Sequence, residues 1–152
     1  KKKSKYNVDL SEKGKAKRTY KGITFDSETE LKFLLEWIEP KIKTGEILSY
    51  ERQVPYILQE DFINFENKKI LPIKYIADYV ITFKNGNQIV VDVKGQPDTT
   101  AKIKKKLFEF KYCDIPFYWY CRSIKYSDGD NWIIYEELEK RRKAEKKSKN
   151  KQ

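Results

Sequence analysis

Apolar positions along the chain follow two different periods. Tyr75 to Gly95, YIADYVITFKNGNQIVVDVKG, reads as two β-strands joined at Asn85-Gly86-Asn87, a composition that favours a tight hairpin. Leu31, Leu34, Leu35 and Ile38 instead form a helical stripe. Ser27 is its N-cap, Glu30 completes a capping box, and Pro40 marks the far end. Ile47 to Leu58 reads as a strand, where Pro55 signals an edge or an irregularity. Asp61 to Lys69 reads as a polar loop. A second helix spans Ala101 to Tyr112, with Ile103, Leu107 and Phe110 on one face and Lys102, Lys105 and Lys106 largely on the other. The aromatic run Pro116 to Arg122 is a buried strand. Asp128-Gly129 turns the chain, Trp132-Ile133-Ile134 packs back, and a last helix covers Tyr135 to Lys147. Lys1 to Lys21 shows almost no apolar periodicity and is expected to lack structure when free. Helix, strand, strand, strand, helix, strand, helix is the order of an α/β fold: a mixed central β-sheet flanked by helices.

The hairpin also carries charge. Side chains on a strand alternate faces, so Asp92 and Lys94 share one face while Val91 and Val93 point the other way. Asp78 and Asp92 stand at similar distances from the turn, which sets them roughly opposite each other across the ladder. Two carboxylates and a lysine then meet at one end of an apolar hairpin. Carboxylates are almost never fully buried unless paired or bound to a metal. The plainer alternative is an exposed Asp–Lys pair on a sheet edge, which contributes little.

Ala77-Asp78, a hairpin and Asp92-x-Lys94 resemble the PD-(D/E)XK nuclease superfamily. FDSETE, ERQVPY, PIKYIADYV and VVDVKG, in that order, are similar to a family of small phage and prophage endonucleases. The resemblance implies a restriction-endonuclease-like core and a metal-dependent DNA endonuclease that hydrolyses phosphodiester bonds. By that likeness Asp78 and Asp92 are metal ligands, the Val93 carbonyl is a third, and Glu30 faces the site to hold a metal-bound water or a second ion. Lys94 orients the attacking water and offsets charge on the scissile phosphate. Magnesium suits an all-oxygen ligand set, with manganese as a substitute. Gln53 matches a polar position near the site of relatives, although an ordinary surface role suits it equally. With Thr99, Thr100, Lys102, Lys105 and Lys106 it makes up the expected DNA contacts. Ala77 stands where proline is usual, and Asp92 where Glu is frequent. A branched-DNA substrate of the Holliday-junction-resolvase type is preferred, because the chain is too short for a separate base-reading domain. A sequence-specific homing or restriction-type endonuclease, a non-catalytic DNA-binding module and a protein-interaction factor remain as alternatives.

Composition narrows the chemistry further. The 152 residues include no His, which excludes Ser-His-Asp hydrolases, Cys-His proteases and His-ligated zinc enzymes. Cys113 and Cys121 make neither a disulfide framework nor a zinc set, so reduced thiols in the cytoplasm of a bacterial host cell are expected. No apolar run is long enough to span a membrane, and no signal segment opens the chain. There is no Met even at position 1, so the chain is expected to lack its initiator. The net charge of +10 is uneven: residues 1–22 hold nine Lys or Arg against two acids, and residues 136–152 hold eight against four. The middle is left at −1. This divides the chain into a basic, flexible arm (1–22), a near-neutral core (23–135) that the resemblance implies is the nuclease, and a basic C-terminal helix and tail (136–152). Basic ends on a near-neutral body suit a polyanion such as DNA, unless they only solubilise the chain. A homodimer is left open.

Overall fold

The computed structural model describes residues 8–149. Its centre is a five-stranded mixed sheet in the order β3-β6-β7-β8-β9. Those strands are β3 (Ile47–Gln59), β6 (Ile73–Phe83), β7 (Gln88–Val93), β8 (Phe117–Arg122) and β9 (Trp132–Ile134). β3/β6, β6/β7 and β8/β9 pair antiparallel, whereas β7/β8 pair parallel. A parallel pair needs a crossover. Helix α4 (Thr99–Lys111) supplies it. The expected α/β class, mixed central sheet and flanking helices are therefore present.

One face of the sheet is covered by a helical run that begins at α2 (Glu28–Phe33). Ser27 caps it by accepting from the Glu30 N–H at 3.1 Å. Phe33 is the hub, stacked on Trp37 and edge-on to Trp132, with Tyr79 and Tyr120 within 5.6 Å between ring centres. The inward face is Leu31, Phe33, Leu34, Trp37 and Ile38, while Leu35 from the expected stripe is exposed. Pro40 does not end the run. A π-helical turn, Leu34–Ile38, passes into α3 (Glu39–Lys43), and Pro40 sits in the first turn of α3. Proline lacks an N–H, so it is tolerated where the regular ladder has already been broken by the wider turn. Glu36 ties this run to the sheet, accepting from Arg122 through both oxygens at 2.9 Å and from the Trp132 indole at 3.0 Å.

The other face packs on α4, by a different side than the sequence suggests. Phe108 is fully buried against Tyr56, Tyr75 and Phe117. Ile103 and Phe110 are 54% and 87% exposed. Lys105 points inward, its ammonium 4.6 Å from the Trp119 ring centre and 2.7 Å from Glu136. The buried stripe is thus Ala101, Lys105, Phe108 and Tyr112, disguised by its lysine, and of the expected face only Leu107 packs against this core, partly buried. Helix α5 (Tyr135–Lys149) completes this layer through Leu138, packed with Cys121 and Ile133.

Three further segments differ from the sequence reading. The first lies in the basic arm, of which residues 1–7 fall outside the described part. Residues 8–22 hold α1 (Glu12–Lys17), β1 (Thr19–Tyr20) and, with residues 23–24, β2 (Ile23–Thr24). What periodicity could not reveal is Arg18, buried while donating to the carbonyls of Phe25 at 2.8 Å and Asp9 at 2.8 Å. Second, the expected loop at 61–69 is a small hairpin of β4 (Phe62–Ile63) and β5 (Lys69–Ile70), turned by Asn64, whose side chain accepts from two backbone N–H groups. Third, Trp132–Ile134 is a fifth strand of the sheet.

Candidate functional site

The hairpin register places the acids as expected. Tyr79 pairs with Val91, so Asp78 is the next position opposite Asp92. On the other side Arg52 pairs with Tyr79 and Val54 with Ala77, which puts Gln53 opposite Asp78. Gln53, Asp78 and Asp92 therefore form one row across three strands. The β6/β7 pairing ends at this row, and the β3/β6 pairing skips Gln53 and resumes at Val54. Gln53 takes a left-handed φ of 52°, rare for a residue with a side chain and typical of functional sites when found in a strand. The Asp78 carboxylate replaces the missing ladder bond, accepting from the Val93 N–H at 2.7 Å.

Lys94 and Glu30 close the group. Lys94 Nζ lies 3.7 Å from Asp92 Oδ2, whose side chain is only 13% exposed, so this is not the exposed pair that the plainer sequence reading allowed. Glu30 is 7% exposed at the first turn of α2. Its backbone carbonyl accepts from the Tyr79 hydroxyl at 2.8 Å, which fixes α2 over β6. Its Oε1 accepts from Ser27 Oγ at 3.0 Å. Oε2 is buried without a partner.

The electrostatics follow from crowding acids out of water. Burial pushes the Glu30 carboxyl up to about 7, against the opposing Ser27 hydrogen bond, with Asp26 and Asp92 adding repulsion. Asp78 is held well above the usual carboxylate range, first by burial and then by Asp92 and Glu30. Asp92 is raised by burial, an effect that Lys94 opposes most. Tyr75 is raised well above the normal phenol value by burial and by both aspartates, so its hydroxyl stays protonated beside them.

Five buried side-chain polar atoms lack a hydrogen-bond partner among the described residues, and four belong to this neighbourhood: Glu30 Oε2, Arg52 Nε, Gln53 Nε2 and the Tyr75 hydroxyl. Unpaired buried polar atoms are costly, and such a concentration marks a place organised for something other than packing. Arg52 and Tyr75 escaped the sequence reading. Arg52 stacks its guanidinium 3.7 Å from the Phe25 ring centre and acts on Glu30 as a nearby positive charge. The available signal was their adjacency to Gln53 and Asp78 on neighbouring strands.

The expected DNA contacts divide. Thr99 and Thr100 open α4, five residues past Lys94, and are exposed together with Lys102 and Lys106. Lys105 is withdrawn, 13% exposed and paired with Glu136 and Glu109. Gln53 lies in the acidic row itself.

Residues 4–128 match a family described as a protein of unknown function, DUF1064. The chain belongs to the DUF1064 family. Glu30, Gln53, Asp78, Asp92 and Lys94 all fall inside the matched DUF1064 region, and all of α5 lies beyond it. No curated protein matches the chain. Among the described residues, no three acidic, Cys or His side chains stand close enough to make a ready cage for a cation. The donor chemistry nevertheless fits one: two largely desolvated aspartates opposite each other, and an orphaned carboxylate oxygen on Glu30.

Proposed function

We propose that this DUF1064 protein is a divalent-metal-dependent DNA endonuclease with a restriction-endonuclease-like core. The observation that carries the reading is the row at the broken ladder. It brings Asp78 and Asp92 together with Lys94 and the orphaned oxygen of Glu30, and all three acids are raised by their common burial. Acids crowded this way weaken a fold and are found where chemistry needs them. The resemblance of the four sequence segments points the same way.

Asp78 and Asp92, the Val93 carbonyl and Glu30 are the groups that would hold magnesium, or manganese in its place. When bound there, such an ion neutralises charge on a phosphate and lowers the pKa of an attacking water. The remaining work falls to the chain. The Val93 N–H fixes the rotamer of Asp78. The Tyr75 hydroxyl, kept protonated by burial and the nearby aspartates, is a donor without a partner among the described residues, left for a bound phosphate or water. The Lys94 ammonium, held by Asp92, places compact positive charge where the phosphate gains negative charge in the transition state. The substrate preferred here is branched DNA.

The test is incubation of labelled linear, nicked, flap and four-way DNA with the full chain and magnesium. At least one substrate should be cut, and the four-way form most readily. Cutting should stop in excess EDTA and in Asp78→Asn and Asp92→Asn, which keep side-chain volume but lose ligand charge. No cleavage of any substrate with magnesium or manganese would overturn the reading, as would cleavage indifferent to EDTA.

A further inference from the structure

A groove of about 560 Å³ lies between α5 and the loop that follows β8. Five cations, Lys125, Arg142, Lys143, Lys146 and Lys149, line it together with two acids, Glu139 and Glu145. Its walls are fixed. Lys125 Nζ meets both Glu145 oxygens at 2.7 Å, and the Tyr126 hydroxyl donates to the same carboxylate. Arg141 donates to the Tyr126 carbonyl at 2.6 Å and to both Asp128 oxygens at 2.9 and 3.0 Å, which ties the loop to the helix.

Both acids are already paired. Glu145 takes Lys125 and Lys149, and Glu139 takes Arg142 at 3.1 Å. Lys143 and Lys146 have no ion pair among the described residues, and three-residue spacing sets them on one helix face. The groove therefore presents excess positive charge on a scaffold that does not need it for packing. From Lys143 to Lys149 the cations extend about 9 Å along the helix at 1.5 Å per residue. That is a row suited to a chain of phosphates, which repeat about every 3.4 Å of axis per strand, and longer than one small anion.

Topology places the row near the acids. The Lys94 N–H donates to the Tyr120 carbonyl at 3.0 Å, and the Cys121 thiol donates to the Lys94 carbonyl at 2.9 Å. Lys125 follows Tyr120 by five residues, so the groove's near wall lies at most about 18 Å from that contact. This amounts to roughly five nucleotide steps.

We propose that the α5 groove binds the sugar-phosphate backbone of nucleic acid flanking the site of cleavage. The inference rests on the nuclease reading. Phosphate contacts position a duplex without reading its sequence, so the groove sets how far the bound strand must extend beyond the scissile bond.

The experiment is fluorescence anisotropy with a labelled four-way DNA in EDTA, from 50 to 200 mM salt, for wild type, Lys143→Ala/Lys146→Ala and Lys143→Arg/Lys146→Arg. Loss of two phosphate contacts should reduce the slope of log affinity against log salt by about 1.8 in the alanine pair. At 0.1 M salt that corresponds to binding weaker by tens of fold. The arginine pair should bind like wild type, and all three should melt together, since both positions are exposed. The alanine pair should also be indifferent to trimming the DNA arms that wild type needs. Wild-type binding and cleavage with an unchanged slope in the alanine pair would overturn the groove and leave the nuclease standing. A wild type that binds no DNA would overturn both.

Discussion

Glu30 carries a direct thermodynamic signature of its site. Its carboxyl titrates near 4.5 when unfolded and at about 7 in the fold, so between those values the folded state holds the extra proton. Stability therefore falls as pH rises through this window, because the unfolded chain releases this proton and is favoured by doing so, while the native state still holds it. Glu30→Gln should make the slope shallower, leaving the part that Asp78 and Asp92 contribute in the same sense. In EDTA, the variant should be more stable than wild type at pH 8, by an amount on the order of 2–3 kcal/mol, and indistinguishable from it near pH 4; urea melts across pH decide this. Lys94 acts in the other sense. Lys94→Ala deletes a charge that matters mainly in the transition state, so turnover should fall about a hundredfold or more while DNA binding changes little. Lys94→Arg should recover only part of it, because a planar guanidinium does not fill the place of a compact ammonium. Single-turnover rates beside melting temperatures measure both, and a near-wild-type rate for the alanine variant would remove Lys94 from the chemistry.

At the scale of elements, the hairpin was legible and α4 was not. Asn85-Gly86 fixed the turn, the alternation fixed the faces, and the opposition of Asp78 to Asp92 followed without further information. Ser27 and Glu30 likewise announced the start of α2. The buried side of α4 was hidden because it includes Lys105, which lies against Trp119 and Glu136 from strands and helices distant in sequence. Arg18 was hidden for a related reason, since a buried arginine satisfied by backbone carbonyls has no apolar period. Pro55 signalled an edge or an irregularity in β3, which is an edge strand, but nothing marked Gln53 itself, as the left-handed position is usually taken by Gly or Asn. The orientation of α4 is easily checked by denaturation. Phe108→Ala should cost about 3–5 kcal/mol, whereas Phe110→Ser should stay within about 0.5 kcal/mol. Equal effects would restore the face that periodicity alone suggests.

For the whole molecule, charge is separated from the core that folds. The acids and cations of the middle nearly cancel, and the excess lies in the first 22 residues and along α5. The described part of the N-terminal segment is nevertheless integral, since Arg18 reaches Phe25 and Asp9 from inside. Trimming has different consequences at two depths. Removing residues 1–7 deletes Lys1, Lys2, Lys3 and Lys5. It should leave the melting temperature unchanged and lower the salt slope of DNA binding by at most about 3.6. Removing residues 1–18 should also lower the melting temperature, because the Phe25 carbonyl loses its Arg18 donor and the Phe25 N–H loses its Arg18 acceptor. An unchanged slope in the shorter truncation would assign the first seven residues to solubility alone. Among the described residues no helix is long and apolar enough to cross a membrane.

The desolvated row has a consequence for how such a chain drifts. Glu30, Asp78 and Asp92 each stand ionised only at a cost to the fold. A lineage freed from the need to act would gain robustness by losing any one of them, since replacing such groups is among the easiest routes to a sturdier protein. Laboratory evolution that rewards heat survival alone, in chelator, should therefore concentrate replacements at these three positions before it touches Phe33, Tyr79 or Phe108. The acids are the part of the molecule that its own architecture would discard first.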